Sequence, residues 1–252
     1  MQVAWQQFLM TLMFFTRLPI AGLVTHDPAL MPGTARYFTL AGWVVGLIAA
    51  GFLWLAAHCL PWWPALLLAT AASILLTGAF HEDGFADLCD AFGGGWEKEQ
   101  VLRIMKDSRL GTYGTLGLGL MVGTKLSLLA ALPVSSACAA LLAGHVLSRA
   151  LATSLLCTLD YVRDTADGAI AKTPAYTFNP ADLRFTLCTA APALLLLPFF
   201  ASLLAIPILW LLHLWLTVWY RRRIGGYTGD CLGAAQQLAE VAVLCLAVMG
   251  FR

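Results

Sequence analysis

The stretch that decides the fold runs from Trp62 to Asp90 and reads WWPALLLATAASILLTGAF followed by HEDGFADLCD. Its first nineteen residues, 62–80, carry no charge, and about 20 such residues are needed to cross the hydrocarbon core of a bilayer. Four acidic residues then follow within nine positions, 82–90. The pattern predicts an apolar membrane helix that leads into an acidic helix at the membrane edge.

Three of those acids share one stripe of the predicted helix. Because each residue of an α-helix turns about 100°, Asp83, Asp87 and Asp90 lie within roughly 60° of one another. Carboxylates that close repel one another unless a cation offsets them, and hard oxygen ligands favour Mg²⁺ or Mn²⁺. Glu82 lies about 100° from the stripe and is a poorer candidate for a ligand. Gly84 indicates a close approach by another group, and a solvated acidic helix end is the alternative interpretation.

The composition places the whole chain in the membrane class. Of 252 residues, 60% are hydrophobic and 12% are charged, and soluble domains carry about 25% charged residues. The net charge of +1 gives no field that would attract nucleic acid. The seven cysteines form no CxxC pair and are interpreted as small apolar residues. No secretory signal peptide is expected at the amino terminus.

The hydropathy pattern predicts an all-α, polytopic integral membrane protein with about seven transmembrane helices. It forms a single membrane domain over residues 1–252 with a short N-terminal interfacial or re-entrant helix at 3–15. The uncharged run at 185–219 is too long for one span and is predicted to be a hairpin of two short helices. The predicted spans are 38–57, 62–80, 113–132, 135–157, two within 185–219, and 231–250.

Seven alternating spans place four polar segments on one side of the membrane: 17–36, 81–112, 158–184 and 221–230. Those segments hold twelve of the fifteen Lys and Arg residues. The positive-inside rule therefore predicts that they face the cytoplasm. The main active-site loop is placed at about 81–112 and a second cytoplasmic loop at about 158–184.

An anion site is predicted at residues 106–114, which read KDSRLGTYG. Lys106, Ser108 and Arg109 lie just ahead of a helix start, where backbone N–H groups and cationic side chains bind anions. This segment matches no P-loop spacing, and on its own an ordinary capped loop is an equal alternative. Together with the acidic stripe in the same loop, it describes a metal–diphosphate site.

Three further residues are candidates for the same site. Lys125 and Arg149 lie inside predicted spans, where a cation is costly and faces a cavity or a partner. Asp230 follows a glycine-rich segment at the start of the last span and could complete the metal site from another helix. A helix cap is the alternative role for Asp230, and snorkelling is the alternative for Arg149.

The runs at 77–95, 105–114 and 225–240 (TGAFHEDGFADLCDAFGGG, MKDSRLGTYG and GGYTGDCLGAAQQLAE) resemble the cobalamin synthase family, the adenosylcobinamide-GDP ribazoletransferases. The resemblance extends over nearly the whole chain. Two positions depart from the family pattern, Glu82 where relatives often have an apolar residue and Gln237 where a relative has a glutamate.

The resemblance implies a Mg²⁺-dependent enzyme of the bacterial inner membrane, with its active site on the cytoplasmic side. Such enzymes join adenosylcobinamide-GDP to α-ribazole or its 5′-phosphate, giving adenosylcobalamin or its 5′-phosphate and GMP. The expected partners are these substrates and the lipid bilayer, without nucleic acid, and a homo-oligomer is compatible with the sequence.

On the residues and the resemblance together, each candidate receives a role. The predicted metal ligands are Asp83, Asp87, Asp90 and Asp230. The predicted phosphate-binding residues are Lys106, Ser108, Arg109 and Arg149. The predicted catalytic residues are Asp90, as the proton acceptor, with Arg109 and Lys125.

Two alternative functions are also compatible with the sequence. One is another Mg²⁺-dependent membrane transferase acting on a diphosphate, of the prenyltransferase or CDP-alcohol phosphotransferase type. The other is a cation-coupled transporter, which would need broken helices and acids at the middle of the membrane. Acids concentrated at the cytoplasmic edge favour an enzyme.

Overall fold

A computed structural model describes residues 2–25, 27–162 and 178–251. Within these ranges the chain is helical, and its β-structure is limited to one isolated bridge between Tyr161 and Tyr227. The α-helices are α1 (Gln2–Phe15), α2 (Phe38–Cys59), α3 (Trp62–Thr77), α4 (Phe80–Gly94), α5 (Lys98–Met105), α6 (Thr112–Ala130), α7 (Val134–Ser154), α8 (Pro180–Ala190), α9 (Phe199–Ile224) and α10 (Gly229–Phe251).

The all-α, multi-span prediction is confirmed, but the number of long apolar helices differs from seven. Among the described residues, five helical segments are long and apolar enough to cross a membrane, and a sixth is obtained if α3 and α4 form one bent span. The five are Ala35–Cys59, Thr112–Ala130, Val134–Cys157, Phe199–Ile224 and Gly229–Phe251. In a bent span α3 would supply the apolar residues, because α4 carries all four acids beyond the bend.

The predicted hairpin at 185–219 accounts for one of the two missing spans, and the other is 62–80, where the 16-residue helix α3 counts only together with α4. The first arm of the hairpin consists of α8 followed by the 3₁₀-helix Ala191–Leu196, and its second arm is the single long helix α9. Pro192 lies at the start of the 3₁₀ segment, where its ring is tolerated. Eleven α-helical and six 3₁₀ residues extend about 28 Å. The arm runs from a salt bridge of Asp182 with Arg36 to the turn before α9, where Pro198 lies beside Gly250 at the end of α10.

The centre of the bundle is α7. In its span 89% of the residues are inside the protein, against 17% in the spans of α6 and α9, which therefore present most of their surface to lipid. Glycines let α2 pack closely on α7, since a Cβ at Gly42 would lie 2.6 Å from the carbonyl oxygen of His145. Small residues at helix contacts are typical of membrane bundles.

A sharp corner separates α3 from α4. The two helices meet at 88°, and both linking residues, Gly78 and Ala79, have left-handed backbone angles (φ 68° and 58°). The backbone N–H of Arg17 donates to the carbonyl of Leu76 at 2.7 Å, so the segment after α1 packs on this corner. The corner directs α4 away from the apolar helix and sets the position of its acids.

The structure describes the first of the two predicted cytoplasmic loops in full and the second only in part. Residues 81–112 are largely helical, because α4 and α5 occupy most of that range and only the connections 95–97 and 106–111 lie outside helices. Most of the predicted 158–184 loop, residues 163–177, lies outside the described residues. The N-terminal helix predicted at 3–15 is present as α1, and its location at the membrane surface stays a prediction.

Candidate active site

The acids of α4 lie against the first turn of α10. A Cβ at Gly84 would lie 3.0 Å from the Cα of Asp230, and one at Gly233 would lie 3.3 Å from the carbonyl oxygen of His81. The close approach predicted at Gly84 is therefore confirmed, and the approaching group is the backbone of Asp230. Two glycines on facing helices bring Asp230 opposite the stripe that contains Asp83 and Asp87.

We call Asp83, Asp87 and Asp230 the acidic edge. Asp83 is exposed, whereas Asp87 is partly buried beside the other carboxylates. Burial, then the negative charges of Asp230, Asp83 and Asp90, raise the pKa of Asp87 to about 7. Because each of these causes disfavours the ionised carboxylate, a bound cation would stabilise the edge.

The acidic edge is not a complete metal cage. The described residues contain no group of three or more His, Cys, Asp and Glu side chains arranged to hold a metal ion. Mg²⁺ commonly uses one or two carboxylates and fills its remaining positions with water and substrate phosphate oxygens. The oxygen-only donor set of the edge fits that mode of binding.

Asp90 has a different environment from the rest of the stripe. Its Oδ2 accepts a hydrogen bond from the backbone N–H of Gly111 at 2.7 Å, and its Oδ1 accepts one from Gly114 at 2.8 Å. These N–H groups belong to the start of α6, whose first donors have no partner within the helix. Asp90 therefore ties α4 to the start of α6 and to the loop before it.

The predicted anion loop is brought next to α4 by this tie. Lys106, Ser108 and Arg109 are exposed, and 87% of the Arg109 side chain is open to solvent. Arg109 Nε donates to both carboxylate oxygens of Asp107 at 3.0 Å. These hydrogen bonds lower the pKa of Asp107. The structure thus brings the acidic stripe and the basic loop together, with Arg109 held by Asp107.

Lys125 lies in a different place. It is eleven positions beyond Gly114 on α6, about 16 Å along the helix axis. Its Nζ forms a salt bridge of 2.8 Å with Glu240 Oε1 and donates to Gln237 Oε1 at 3.2 Å. Lys125 therefore neutralises a buried acid of α10, and the structure does not bring it to the phosphate loop.

The partners of Lys125 continue across the bundle. Gln237 Nε2 donates to Glu82 Oε1 at 3.0 Å, and Gln236 Nε2 donates to Glu240 Oε2 at 2.7 Å and to Ser148 Oγ at 3.0 Å. We call this set the buried polar network; its members are Glu82, Lys125, Ser148, Gln236, Gln237 and Glu240. The network joins α4, α6, α7 and α10 inside the apolar bundle.

Arg149 is also separated from the phosphate loop. Only 2% of its surface is exposed; its guanidinium donates to the carbonyl of His145 at 2.9 Å and lies 5.6 Å from the ring centre of Phe15. It lines an apolar pocket with aromatic residues of α1 and α2 and with Gly229, next to Asp230. Arg149 therefore lies at this pocket, near the start of α10, and not at the phosphate loop.

Comparison with known proteins identifies the family. The sequence model described as Cobalamin-5-phosphate synthase matches residues 7–248. The chain belongs to this cobalamin-5-phosphate synthase family. A relative from Shewanella frigidimarina is 47% identical over 93% of this chain and 90% of its own length. The resemblance seen in the sequence motifs is confirmed.

Other relatives in the family align over comparable lengths. One from Shewanella piezotolerans is 42% identical over 98% of both chains, and one from Leptothrix cholodnii is 44% identical over 93% of this chain and 92% of its own. These two and the Shewanella frigidimarina protein carry the name adenosylcobinamide-GDP ribazoletransferase. No solved structure matches the chain.

Several residues of this family member were not assigned a role from sequence. Glu82 and Glu240 belong to the buried polar network, and Arg223 donates to the carbonyls of Phe92 and Gly95 at the end of α4. The sequence did indicate a role for Glu240, because a lone acid in an apolar span requires a partner in the same way as Lys125. The sequence does not indicate the role of Arg223, because arginine is common at helix ends.

Proposed function

We propose that this protein is a Mg²⁺-dependent transferase that joins adenosylcobinamide-GDP to α-ribazole or its 5′-phosphate with release of GMP. The family supports the reaction, since its members' names specify the substrates. The observation that supports the metal is the raised pKa of Asp87, caused by burial and by facing carboxylates from two helices. Such an edge gains stability from a divalent cation that also binds a diphosphate.

Asp83, Asp87 and Asp230 would hold the metal. When bound, Mg²⁺ would neutralise charge on the diphosphate and on the departing GMP. Lys106, Ser108 and Arg109 would bind phosphate oxygens from the loop that Asp90 ties to α4, and Arg109 would exchange its exposed contact with Asp107 for a phosphate. The tie at Asp90 keeps this loop within reach of the acidic edge.

The proton of the attacking ribazole hydroxyl needs an acceptor. We transfer this role from Asp90 to Asp87. Both oxygens of Asp90 already accept backbone hydrogen bonds, whereas Asp87, in the part of the chain that the structure describes, has no such bonds to α6 and could take the proton on one carboxylate oxygen while the other contacts the metal. Lys125, predicted to be catalytic, and Arg149, predicted to bind phosphate, would act through the packing of α10 and α7, because each has buried protein partners.

We also propose that the acidic edge faces the cytoplasm of a bacterial cell, at the inner membrane. Most of the Lys and Arg residues lie in the segments that precede α2 and α6 and in the last turn of α9. Cytoplasmic segments are enriched in these residues. A protease accessibility experiment on right-side-out and inverted vesicles, using a cleavage site inserted after Trp96, tests the orientation.

The reaction is tested with purified protein in detergent and all three components: Mg²⁺, adenosylcobinamide-GDP and α-ribazole. GMP release is measured while each component is omitted in turn. We expect release only when all three are present. Release without α-ribazole would indicate a hydrolase, and release that is unchanged by a chelator would contradict the role of the metal.

A further inference from the structure

An exposed arginine, Arg17, packs on the corner between α3 and α4. A Cβ at Gly78 would overlap the Nε atom of Arg17 and would lie 3.1 Å from both its Cζ and its Nη2. Gly78 has φ 68°, a backbone conformation that glycine adopts without steric cost. The corner therefore uses a glycine for its turn, and the missing Cβ leaves room for the guanidinium of Arg17.

The backbone around Arg17 is held on both sides. Its own N–H donates to the carbonyl of Leu76 at 2.7 Å. The hydroxyl of Thr16 donates to the carbonyl of Leu12 at 2.6 Å and accepts from the backbone N–H of Leu18 at 3.4 Å. In the described part of the chain, by contrast, the guanidinium has no hydrogen bond or salt bridge. Arg17 is therefore a positioned cation whose charge is free to bind an anion.

Arg17 lies at the end of α4 opposite to the phosphate loop. One Cα step of about 3.8 Å and four helical residues of about 1.5 Å each separate Gly78 from Asp83, so their Cα atoms lie within about 10 Å. Asp90, which ties the phosphate loop to α4, is about 10 Å further along the helix axis than Asp83. The acidic edge therefore has cations near both ends, Arg17 beside Asp83 and the loop residues beside Asp90.

The proposed reaction needs a second anion site when the nucleoside carries a phosphate. The metal and the phosphate loop serve the diphosphate of the other substrate. The family description, Cobalamin-5-phosphate synthase, states that the 5-phosphate is kept in the product, so this group is not at the bond that forms. It carries a charge of about −1.5 to −2 near neutral pH, and the carboxylates of the acidic edge would repel it. A separate cation beside the edge offsets that repulsion.

We propose that Arg17 binds the 5′-phosphate of α-ribazole 5′-phosphate and thereby sets a preference for the phosphorylated nucleoside. The inference rests on the proposed function, which supplies this substrate. A guanidinium forms two parallel hydrogen bonds with a phosphate. α-Ribazole presents an uncharged hydroxyl at the same position, so the charge of Arg17 adds much less to its binding. The phosphate of a lipid headgroup has similar chemistry, and the comparison of the two nucleosides distinguishes the two sources.

The test is the kcat/KM for α-ribazole 5′-phosphate divided by the kcat/KM for α-ribazole, both from GMP release in detergent without added lipid. We expect the wild-type ratio to be about ten or more, and Arg17→Gln should lower it about tenfold, the loss of one hydrogen bond between charged groups. The kcat/KM for α-ribazole should change by less than about threefold in the variant. Both nucleosides are measured on one preparation, so an inactive fraction cancels in the ratio.

Lys98→Gln is the matched control and should keep the wild-type ratio. Lys98 is also exposed, and its Nζ would lie 3.3 Å from a Cβ at Gly225, a second glycine with positive φ (85°). Arg17→Lys keeps the charge without the paired donors and should give an intermediate ratio. An equal loss with both nucleosides in Arg17→Gln would overturn the inference, because Arg17 would then serve the diphosphate, a lipid or the fold. Equal kcat/KM values in the wild-type protein would overturn it without any variant.

Equilibrium dialysis separates this inference from the proposed function, because the nucleosides are followed by their ultraviolet absorbance without any turnover. We expect the wild-type protein to bind α-ribazole 5′-phosphate about tenfold more tightly than α-ribazole, and Arg17→Gln to bind the two about equally. That result together with no GMP release would refute the proposed function and leave the phosphate site at Arg17 standing. GMP release with a ratio that Arg17→Gln does not change would refute the site and leave the proposed function standing.

Discussion

The same two helices, α4 and α10, build two polar regions of opposite character. At the acidic edge, carboxylates from both helices face one another, and the result is the raised pKa of Asp87. In the buried polar network, Lys125 and Glu240 form a salt bridge and amide side chains accept or donate on either side. Glu82 and Asp83 are consecutive residues, yet each belongs to a different region.

The two regions have different roles because their charges are balanced differently. A buried charge that is not paired is very costly, so the network inside the bundle is nearly balanced. The acidic edge lies where solvent and a cation can reach it and can keep an excess of one sign. A ligand is therefore expected at the acidic edge, where like charges are in excess. The paired charges of the buried polar network hold the helices together.

Asp87→Asn is the largest expected effect and tests the assignment of the acidic edge. Turnover should fall by at least ~10²-fold, because the variant loses both a metal ligand and the proton acceptor. The variant should fold, since the change removes like-charge repulsion. GMP release and thermal unfolding in detergent are measured together. Glu97→Gln, an exposed acid beyond α4, is the control; near-normal turnover in Asp87→Asn would refute the metal and base roles.

Lys125→Met tests the other region, where the main expected loss is stability. Removing the cation leaves Glu240 buried without its counter-charge, which should destabilise the protein by about 3–5 kcal/mol. Thermal unfolding in detergent measures this loss. The double variant Lys125→Met with Glu240→Leu should recover most of it, because neither charge remains. If the single variant were as stable as wild type while losing turnover, Lys125 would belong to the catalytic machinery after all.

Sequence alone predicted the features that depend on local periodicity. The acidic stripe follows from the turn per residue of a helix, and the close approach at Gly84 follows from a missing Cβ. The all-helical membrane fold follows from uncharged runs. The arm formed by α8 and its 3₁₀ extension was harder to predict. Pro192 begins a 3₁₀ segment with a different rise per residue, so no run of twenty α-helical residues remains.

Features that depend on which helices are neighbours could not be predicted in the same way. Lys125 and Glu240 are each conspicuous in an apolar run, but their pairing requires α6 to pack beside α10. The tie between Asp90 and Gly111 joins a side chain to backbone N–H groups, and a backbone group has no residue signature. Asp90 therefore appeared to be one more member of the stripe until its partners were known.

Asp90→Asn separates the anchoring role from the catalytic one. Asparagine keeps one acceptor oxygen but places an NH₂ against the second backbone N–H, so the tie to α6 should weaken by about 1–3 kcal/mol. We expect the KM for adenosylcobinamide-GDP to rise by about tenfold with a smaller change in kcat, because the phosphate loop loses its position. A collapse of kcat with KM unchanged would restore Asp90 as the proton acceptor. Ser127→Ala, a substitution further along α6, is the control.

The smallest expected effect is a pH-dependent stability change in the chelated protein. The pKa of Asp87 is raised to about 7, while an unfolded chain gives an aspartate about 3.9. At a pH between these two pKa values, Asp87 therefore tends to be protonated in the folded protein and ionised in the unfolded chain. Stability is lost as pH rises through this window, and the full loss persists above pH ~7.

Asp87→Asn removes the group that titrates, so the variant should gain more stability at pH 8 than at pH 5. Because Asp87 is partly open to solvent, we expect only about 1 kcal/mol at pH 8, or ~2–4 °C in Tm for a protein of this size. Added Mg²⁺ should reverse the order, since it stabilises the wild-type edge and not the variant. A gain of equal size at both pH values would mean that Asp87 is not repelled by its neighbours, and the contrast between the acidic edge and the buried polar network would then have lost its electrostatic basis.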